Sequence, residues 1–598
     1  VRILLAALAI SACGSPALPT VIANDHRSPA GTLAGDSLVL DLTARMSRWY
    51  PASDTGASLE VAAFASGSDA PSVPGPLVRV PVGTHVTVSV ANTLDDTLFI
   101  SGLRDPATWD TLIVPPRKRA TAAFEARRVG TFVYQGGTRR NSQVWPRGPG
   151  DQLSGVIVVD SAGAPPERIF AIGSWDGTPI PPVAESTYVM VMNGKTWPFT
   201  ERINARMGDT LHWRVVSLSP ANHPMHLHGG YFRVDAAGSW RGDSVISPEE
   251  RGMVATETLF GPESMTITWT PTRPGGWLFH CHDAFHVVAS QHDDLARRPR
   301  ATDHVHSSVA DHLARGMAGL IIGIEVEGTA APAATAARRR LGVDLVTRER
   351  SGGSPPWIGF ARPGDSLTMP GPPLILTRGE PVAITVQNRL AEAASVHWHG
   401  IELESYYDGV AGWSGSGASR APLIAPGDSF VAHMTPPRAG TFMYHAHVAE
   451  LRMLASGMFG ALVVLEPGQR WNPSRDHLLI FSQHGVVTPT DSGLIVLNAR
   501  HEPAFGPLTA GVPNRLRFIN ISGGDVVEAR VIQEDSVIQG RMLAKDGADL
   551  PGHRQVRRPA EVLFGAGETI DLEIVPRRGT VKIVVKSYND FEVNVQVR

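Results

Sequence analysis

The chain has 598 residues, 42 % of them hydrophobic, enough for about four domains of ordinary size with buried cores. A formal net charge of −3 and the absence of any basic run exclude a general nucleic-acid or polyanion binder. With only Cys13 and Cys281 in the chain, a disulfide framework is excluded if Cys281 serves a metal, and stability must then come from packing.

The opening residues, VRILLAALAISAC, combine one basic residue, an apolar stretch of signal-peptide length and small residues before Cys13. The stretch is too short to span a bilayer. Ile10-Ser11-Ala12-Cys13 resembles a bacterial lipoprotein box, the alternative being an ordinary secretory signal cut nearby. Residues 1–35, rich in Ser, Pro, Ala and Gly after Cys13, thus read as a signal peptide and lipoprotein tether. The expectation is an exported protein, periplasmic or in the cell envelope, whose one link to a membrane is a lipid on Cys13.

From residue 36 the chain alternates apolar and polar residues, as in VTVSVAN (86–92), VAITVQN (382–388) and IDLEIVP (570–576), with Gly and Pro punctuation throughout. These are sandwich strands, and helix should be scarce. The pattern repeats at about 300 residues. Pro74-Gly75-Pro76, Gly83 and Asn92 recur at identical spacing as Pro370-Gly371-Pro372, Gly379 and Asn388, and GTFVY (130–134) recurs as GTFMY (440–444). Likewise ETLFG (257–261) matches EVLFG (561–565), and Gly208 before LHWRVV parallels Gly511 before RLRFIN. First therefore resembles third, and second resembles fourth. The reading is all-β, with four Greek-key β-sandwich domains in tandem at 36–162, 167–330, 340–467 and 474–598.

Ten histidines and one cysteine fall into four clusters: HPMHLHG (223–229), HCHDAFH (280–286), HWHG (397–400) and YHAH (444–447). Side chains at i and i+2 share one face of a strand and the residue between them takes the other, so an H-x-H pair is a two-toothed metal claw. In HCH, His280 and His282 face one way and Cys281 the other, so neighbours in sequence can ligate separate metal centres. His223 lies an odd number of residues from His226 and can join Cys281, as can His286. One thiolate, two imidazoles and a weak axial thioether describe a trigonal copper site that zinc fits poorly. The remaining eight histidines, His226, His228, His280, His282, His397, His399, His445 and His447, suit three coppers with open positions. The clusters fall only in the second and third units. Where the third has His445 and His447, the first has Gln135 and Gly137; where the second has HCH, the fourth runs through KIVVKSYND (582–590).

These four motifs resemble the copper signatures of the multicopper oxidases, the laccase, ascorbate oxidase and ceruloplasmin family. The resemblance implies cupredoxin-like domains and four coppers per chain: type 1 at His223, Cys281 and His286, type 2 at His226 and His397, and a type 3 pair at His228, His280, His282, His399, His445 and His447. It also implies a reaction, in which one-electron oxidations of a small reducing substrate, phenol-like or a metal ion, at type 1 copper are coupled to reduction of O2 to water at the other three. A copper carrier or buffer without sustained turnover is the alternative. The domain order is the reverse of that in common three-domain oxidases and is similar to two small two-domain laccase units joined in tandem. The active cluster is therefore expected where the second and third domains meet, within one chain, with the outer domains structural.

Asp408, in YYDGVAGW, matches an acidic residue near type 2 copper in this family, which implies proton delivery; its other reading is a turn residue in Asp-Gly. Asp283, directly after HCH, is a second candidate acid. For the axial ligand, Met317 in GMAGLIIGIEV (316–326) stands against Gln291, ten residues after the cysteine. The insertion 288–314, with His292, His304, His306 and His312, reads as a solvated loop, as a lid over the substrate edge or as an accessory metal-binding patch. The natural electron donor and the oligomeric state are left open by the sequence.

Overall fold

The computed structural model describes residues 17–52, 54, 58–138, 151–177, 187–287, 317–329, 337–348, 356–484, 494–500 and 505–598. Cys13 and the insertion 288–314, including Gln291, lie outside the described residues. The strands form eight sheets, two to each unit, and the described residues include a single α-helix, Glu450–Ser456. No helix among them is long and apolar enough to cross a membrane.

The alternation seen in the sequence is the alternation of the pleat. In His85–Asn92, Val86, Val88, Val90 and Asn92 point inward while the residues between them are more exposed. Each unit opens with a strand that runs parallel to a later one: Ser37–Trp49 beside His85–Asn92, Arg168–Gly177 beside Leu211–Ser217, Arg339–Arg348 beside Val382–Asn388, and Asp476–His484 beside Asn514–Asn520. Parallel neighbours among mostly antiparallel strands are what a Greek-key crossover between two packed sheets leaves behind. All four units are cupredoxin-like sandwiches of this kind.

The repeated residues staple equivalent corners. Asn92 donates from Nδ2 to the carbonyls of Asp96 and Val114 (2.8 and 2.9 Å) and accepts from Leu94 N–H at 2.9 Å. Asn388 does the same with Glu392, Ile424 and Leu390 (2.8, 2.8 and 2.9 Å). Tyr134 and Tyr444 each donate a phenolic hydrogen bond of 2.7 Å to the carbonyl of the repeated proline, Pro76 or Pro372. A buried polar side chain is tolerated only when so satisfied, which is why these residues recur while their surroundings drift.

Within each pair the units are clamped alike. Thr131 and Arg214 converge on the buried carboxylate of Asp243, and Arg214 also pairs with Glu167 at 2.7 Å. In the second pair Thr441 and Arg517 converge on Asp571 at 2.6 and 3.2 Å, and Arg517 pairs with Asp476 at 2.7 Å. The bridging carboxylate comes from a different strand in each, Gly242–Val245 or Thr569–Ile574.

The contact that matters for the histidines joins the second and third units. Val410 and Trp413 of the third pack into the core around Trp277, Phe279 and Cys281, while Tyr231 and Ala255 of the second pack into the core around Trp398 and Tyr444. Trp413 donates its indole N–H to Trp277 O at 2.9 Å, and the hairpin Gly415–Ser416 and Ser419–Arg420 extends the second unit's sheet beside Gly275–Cys281. Every residue of Gly275–Cys281 is buried, because one face of this strand meets its own core and the other meets the third unit.

Candidate metal centre

Strand His223–Leu227 lies antiparallel to Gly275–Cys281, with Met225 opposite Cys281 and His226 opposite His280. Directly opposed residues share a face, so the sulfur looks into the second unit's core and the imidazoles look out toward the third unit. The third unit answers with Val396–His399 beside Gly440–Ala446, where His397 is opposite His445. Two strand pairs thus face each other with histidines on the inner surfaces.

On the core side, Cys281 Sγ lies 3.4 Å from His286 Nδ1 and 3.9 Å from His223 Nδ1, and the three ligand atoms form one compact buried group. The loop after the strand closes this group. Asp283 caps the short 3-10 turn Ala284–His286 by accepting from Phe285 N–H at 2.9 Å, which brings His286 back to the sulfur. Met317 is buried in the same core cluster as Cys281, and its segment is tied to the site by Ala318 N–H on Val287 O and Leu320 N–H on His286 O. Burial pushes the Cys281 thiol well above its usual range, so metal binding must displace its proton.

At the interface, the Nε2 atoms of His226 and His397 stand 3.4 Å apart, and those of His228 and His280 2.9 Å apart. His282, His399 and His445 form a further group, and the His447 ring lies 5.0 Å from that of His228 and 5.4 Å from that of His397. The other ring nitrogens are fixed by acceptors that cannot donate. His226 Nδ1 lies 2.9 Å from Ala255 O, His280 Nδ1 2.8 Å from Cys281 O, His397 Nδ1 2.7 Å from Asp408 O and His445 Nδ1 2.8 Å from Ala446 O. Each Nδ1 therefore carries the proton and each Nε2 lone pair points inward. His399 is reversed, its Nε2 donating to Gly567 O at 2.8 Å with Nδ1 turned inside.

Burial and mutual repulsion hold His226, His228, His282, His397 and His399 well below 6.5, and burial holds His280 and His445 at about 4. Neutral imidazole is the ligand form. Inside the cluster, His445 Nε2, His399 Nδ1 and both ring nitrogens of His282 have no hydrogen-bond partner. A buried ring nitrogen left without a partner is costly unless something electrophilic sits against its lone pair, so the donor set fits copper ions.

Asp408 is wholly buried under two of these rings. Its Oδ2 accepts from His228 Nδ1 at 2.8 Å and from Ser414 Oγ at 3.1 Å, and Oδ1 lies 3.4 Å from His397 Nδ1. Gly409 makes this possible: at φ +95°, a Cβ there would stand 1.9 Å from Val396 O. The Asp-Gly turn and the contact with the rings are one feature. Burial raises the Asp408 carboxyl to about 8. Asp283 faces the sulfur side, 3.6 Å from His286 Nδ1, and is raised to about 7 by burial.

Three contributors escape the motif reading. Glu450, in the first turn of the helix that follows YHAH, lies 3.4 Å from His445 Nδ1 and is raised to about 8 by burial. Thr256 Oγ1 lies 3.1 Å from His226 Nδ1 and 3.2 Å from His399 Nε2. Gly567, from the fourth unit, supplies the His399 acceptor. A signal existed for Thr256, since it stands just before ETLFG where the matching EVLFG is preceded by Ala560.

Two multicopper oxidase family models match the chain, one over residues 176–290 and the other over 366–469, the stretches that hold all four histidine motifs. The chain is 36 % identical over 123 residues to a copper resistance protein A homolog of Pseudomonas syringae pv. tomato, covering 20 % of this chain and 19 % of that protein. It is 35 % identical over 116 residues to laccase 1 of Metarhizium acridum, covering 19 % and 16 %. With multicopper oxidase MmcO of Mycobacterium tuberculosis it shares 27 % identity over 183 residues, 31 % of each chain. The chain thus spans less than a third of the length of these relatives.

Proposed function

From the match of residues 176–290 and 366–469 to multicopper oxidase family models, we propose that the chain belongs to that family and is a copper-dependent oxidoreductase that takes electrons singly from a small reducing donor and reduces dioxygen to water. The observation that carries this reading is the set of inward-facing ring nitrogens without partners at the contact of the second and third units. His223, Cys281 and His286, together with Met317, would hold a type 1 copper. His226 and His397 would hold type 2 copper, and His228, His280, His282, His399, His445 and His447 the type 3 pair. Four coppers so held would supply one-electron storage and open positions for oxygen.

The chain itself supplies the path and the protons. Cys281 is bonded through single peptide units to His280 and His282, so the core-side sulfur and the interface rings are covalently linked. The Asp408 carboxyl, raised to about 8, carries a proton at neutral pH and can release it from Oδ1, which has no hydrogen-bond partner. Asp283 would serve as an acid on the sulfur side. The signal-like residues 1–35 support export to the periplasm or cell envelope.

Copper-loaded protein is expected to show the intense visible colour of a thiolate-bound cupric ion, hold four coppers per chain and consume oxygen with a phenolic or ferrocyanide-like donor. Cys281→Ser should abolish colour and turnover. Asp408→Asn should keep the colour and slow oxygen consumption about tenfold or more. Colourless copper-loaded protein would refute the oxidase. Copper held without sustained turnover would point to a carrier or buffer, the second reading, which the name of the copper resistance relative favours.

A further inference from the structure

The fourth unit carries none of the ten histidines, yet it wraps the edge of the cluster. Strand Thr256–Leu259 is the outermost of its sheet, paired with His223–Leu227 on one side only. At the start of its open edge, the amides of Ala255 and Thr256 would go unsatisfied in a buried place. A carboxylate from the fourth unit meets both: Asp546 Oδ2 accepts from Ala255 N–H at 3.1 Å and from Thr256 N–H at 3.0 Å. Its other oxygen accepts from Thr569 N–H at 2.9 Å, so all three bonds are charge-assisted and come from rigid backbone. Asp546 is 3 % exposed and adopts φ +49°, a left-handed conformation that Asp tolerates better than most residues. Its own carbonyl receives the hydroxyl of Tyr231, which anchors the aspartate to the second unit from another direction.

The two residues gripped in this way hold the rings. Ala255 O accepts from His226 Nδ1 at 2.9 Å, and Thr256 Oγ1 lies within 3.2 Å of both His226 Nδ1 and His399 Nε2. The fourth unit reaches His399 a second time through Gly567 O, and at Gly567 a Cβ would stand 2.7 Å from His282 Cγ. We propose that the ligand-free fourth unit completes the histidine cluster, with Asp546 acting as a positioning residue that fixes the His226 and His399 rings through the backbone of Ala255 and Thr256. The inference rests on the reading of the cluster as a copper site. It replaces the expectation of a purely structural outer domain for this unit.

Asp546→Asn tests it, because the amide keeps the shape but turns an N–H₂ toward one set of backbone donors. Copper-loaded variant should keep the visible colour of the Cys281 site, which lies on the opposite strand face. It should show an altered or missing type 2 electron paramagnetic resonance signal and a copper content below wild type, with oxygen consumption about tenfold lower or more. Thr256→Val, which leaves the aspartate's bonds in place, should alter the same signal. Asp571→Asn, in the clamp between the third and fourth units, serves as the control and should lower thermal stability while leaving the type 2 signal unchanged. A type 2 signal and copper content equal to wild type in Asp546→Asn would overturn the positioning role, whatever Thr256→Val shows. If Asp546→Asn does not fold, Asp546→Glu, which keeps the charge but displaces it from the two backbone amides, decides by the same signal and copper content. Wild-type protein holding fewer than four coppers would overturn the site reading itself, an outcome separable from the first because it needs no variant.

Discussion

Six imidazoles of the cluster, His226, His228, His280, His397, His399 and His445, are oriented by one ring nitrogen: a carbonyl or carboxylate takes the proton on one side, and the lone pair is left to face the other rings. Holding such rings neutral has a consequence for stability in copper-free protein. His280 and His445 are lowered from 6.5 to about 4 and His286 to about 3, all by burial. The unfolded chain therefore binds more protons than the fold between these values and 6.5, so the stability these groups contribute is complete above pH 6.5 and is lost as pH falls toward 4. Asp408 and Glu450 act in the opposite sense. Raised from 3.8 and 4.5 to about 8, they favour the fold most at low pH and lose that contribution as pH rises through 8. The melting temperature of copper-free protein should thus peak near neutral pH and fall more steeply on the acid side, where the histidines outnumber the acids. A scanning-calorimetry series from pH 4 to 9 measures it, and a flat acid limb would mean that these rings are not neutral in the fold. The strand-face logic of HCH was legible because a period of two needs nothing but the local chain. Glu450 and Asp546 were not, because what gives them a role is another element brought alongside, and for Thr256 the aligned repeats mark the position but not the rings it meets.

At the scale of elements, the repeat carries its own physical explanation. GTFVY and GTFMY keep their tyrosines because each hydroxyl must reach a proline carbonyl across the sandwich, and keep their threonines because each meets the carboxylate of the neighbouring unit. The threonine and arginine of the clamp are recognisable from the aligned repeats. Its carboxylate is not, since Asp243 and Asp571 arrive from non-equivalent strands. Also hidden was the hairpin around Gly415–Arg420 that joins the second unit's sheet, because its pairing depends on how two domains dock rather than on any periodicity. The clamp between the third and fourth units is buried enough to predict its worth. Arg517 and Asp571 are 3 % and 1 % exposed, and removing one partner leaves an uncompensated charge in the interior. Asp571→Ala is expected to cost about 3–5 kcal/mol in chemical denaturation. A loss below about 1 kcal/mol would mean that Arg515 and Arg517 find water or another acid once the aspartate is gone.

Across the whole molecule, the arrangement of units with and without cluster histidines makes sense as a way of keeping one site inside one chain. The second unit presents His226, His228, His280 and His282, the third presents His397, His399, His445 and His447, and the two sets interleave so closely that His226 and His397 are 3.4 Å apart. The first unit packs against the second through Leu77, Val133 and Val156, and the fourth against the third through Ile480, Ile519 and Ile521, so the two pairs are built alike. A two-domain unit acting alone would need a second copy to supply the missing half of the histidines. The tandem repeat places both halves on one polypeptide, and the shared packing of Trp413 with Trp277 and of Tyr231 with the third unit's core holds them together without help from another chain. Turnover per mole of copper-loaded protein should therefore stay constant as the enzyme is diluted from micromolar to nanomolar concentration, whatever its oligomeric state. Size-exclusion chromatography at both ends of the range would report any dissociation. If turnover fell in step with that dissociation, a ligand or positioning residue would have to come from a second copy, and the cluster formed by these eight rings would not be sufficient by itself.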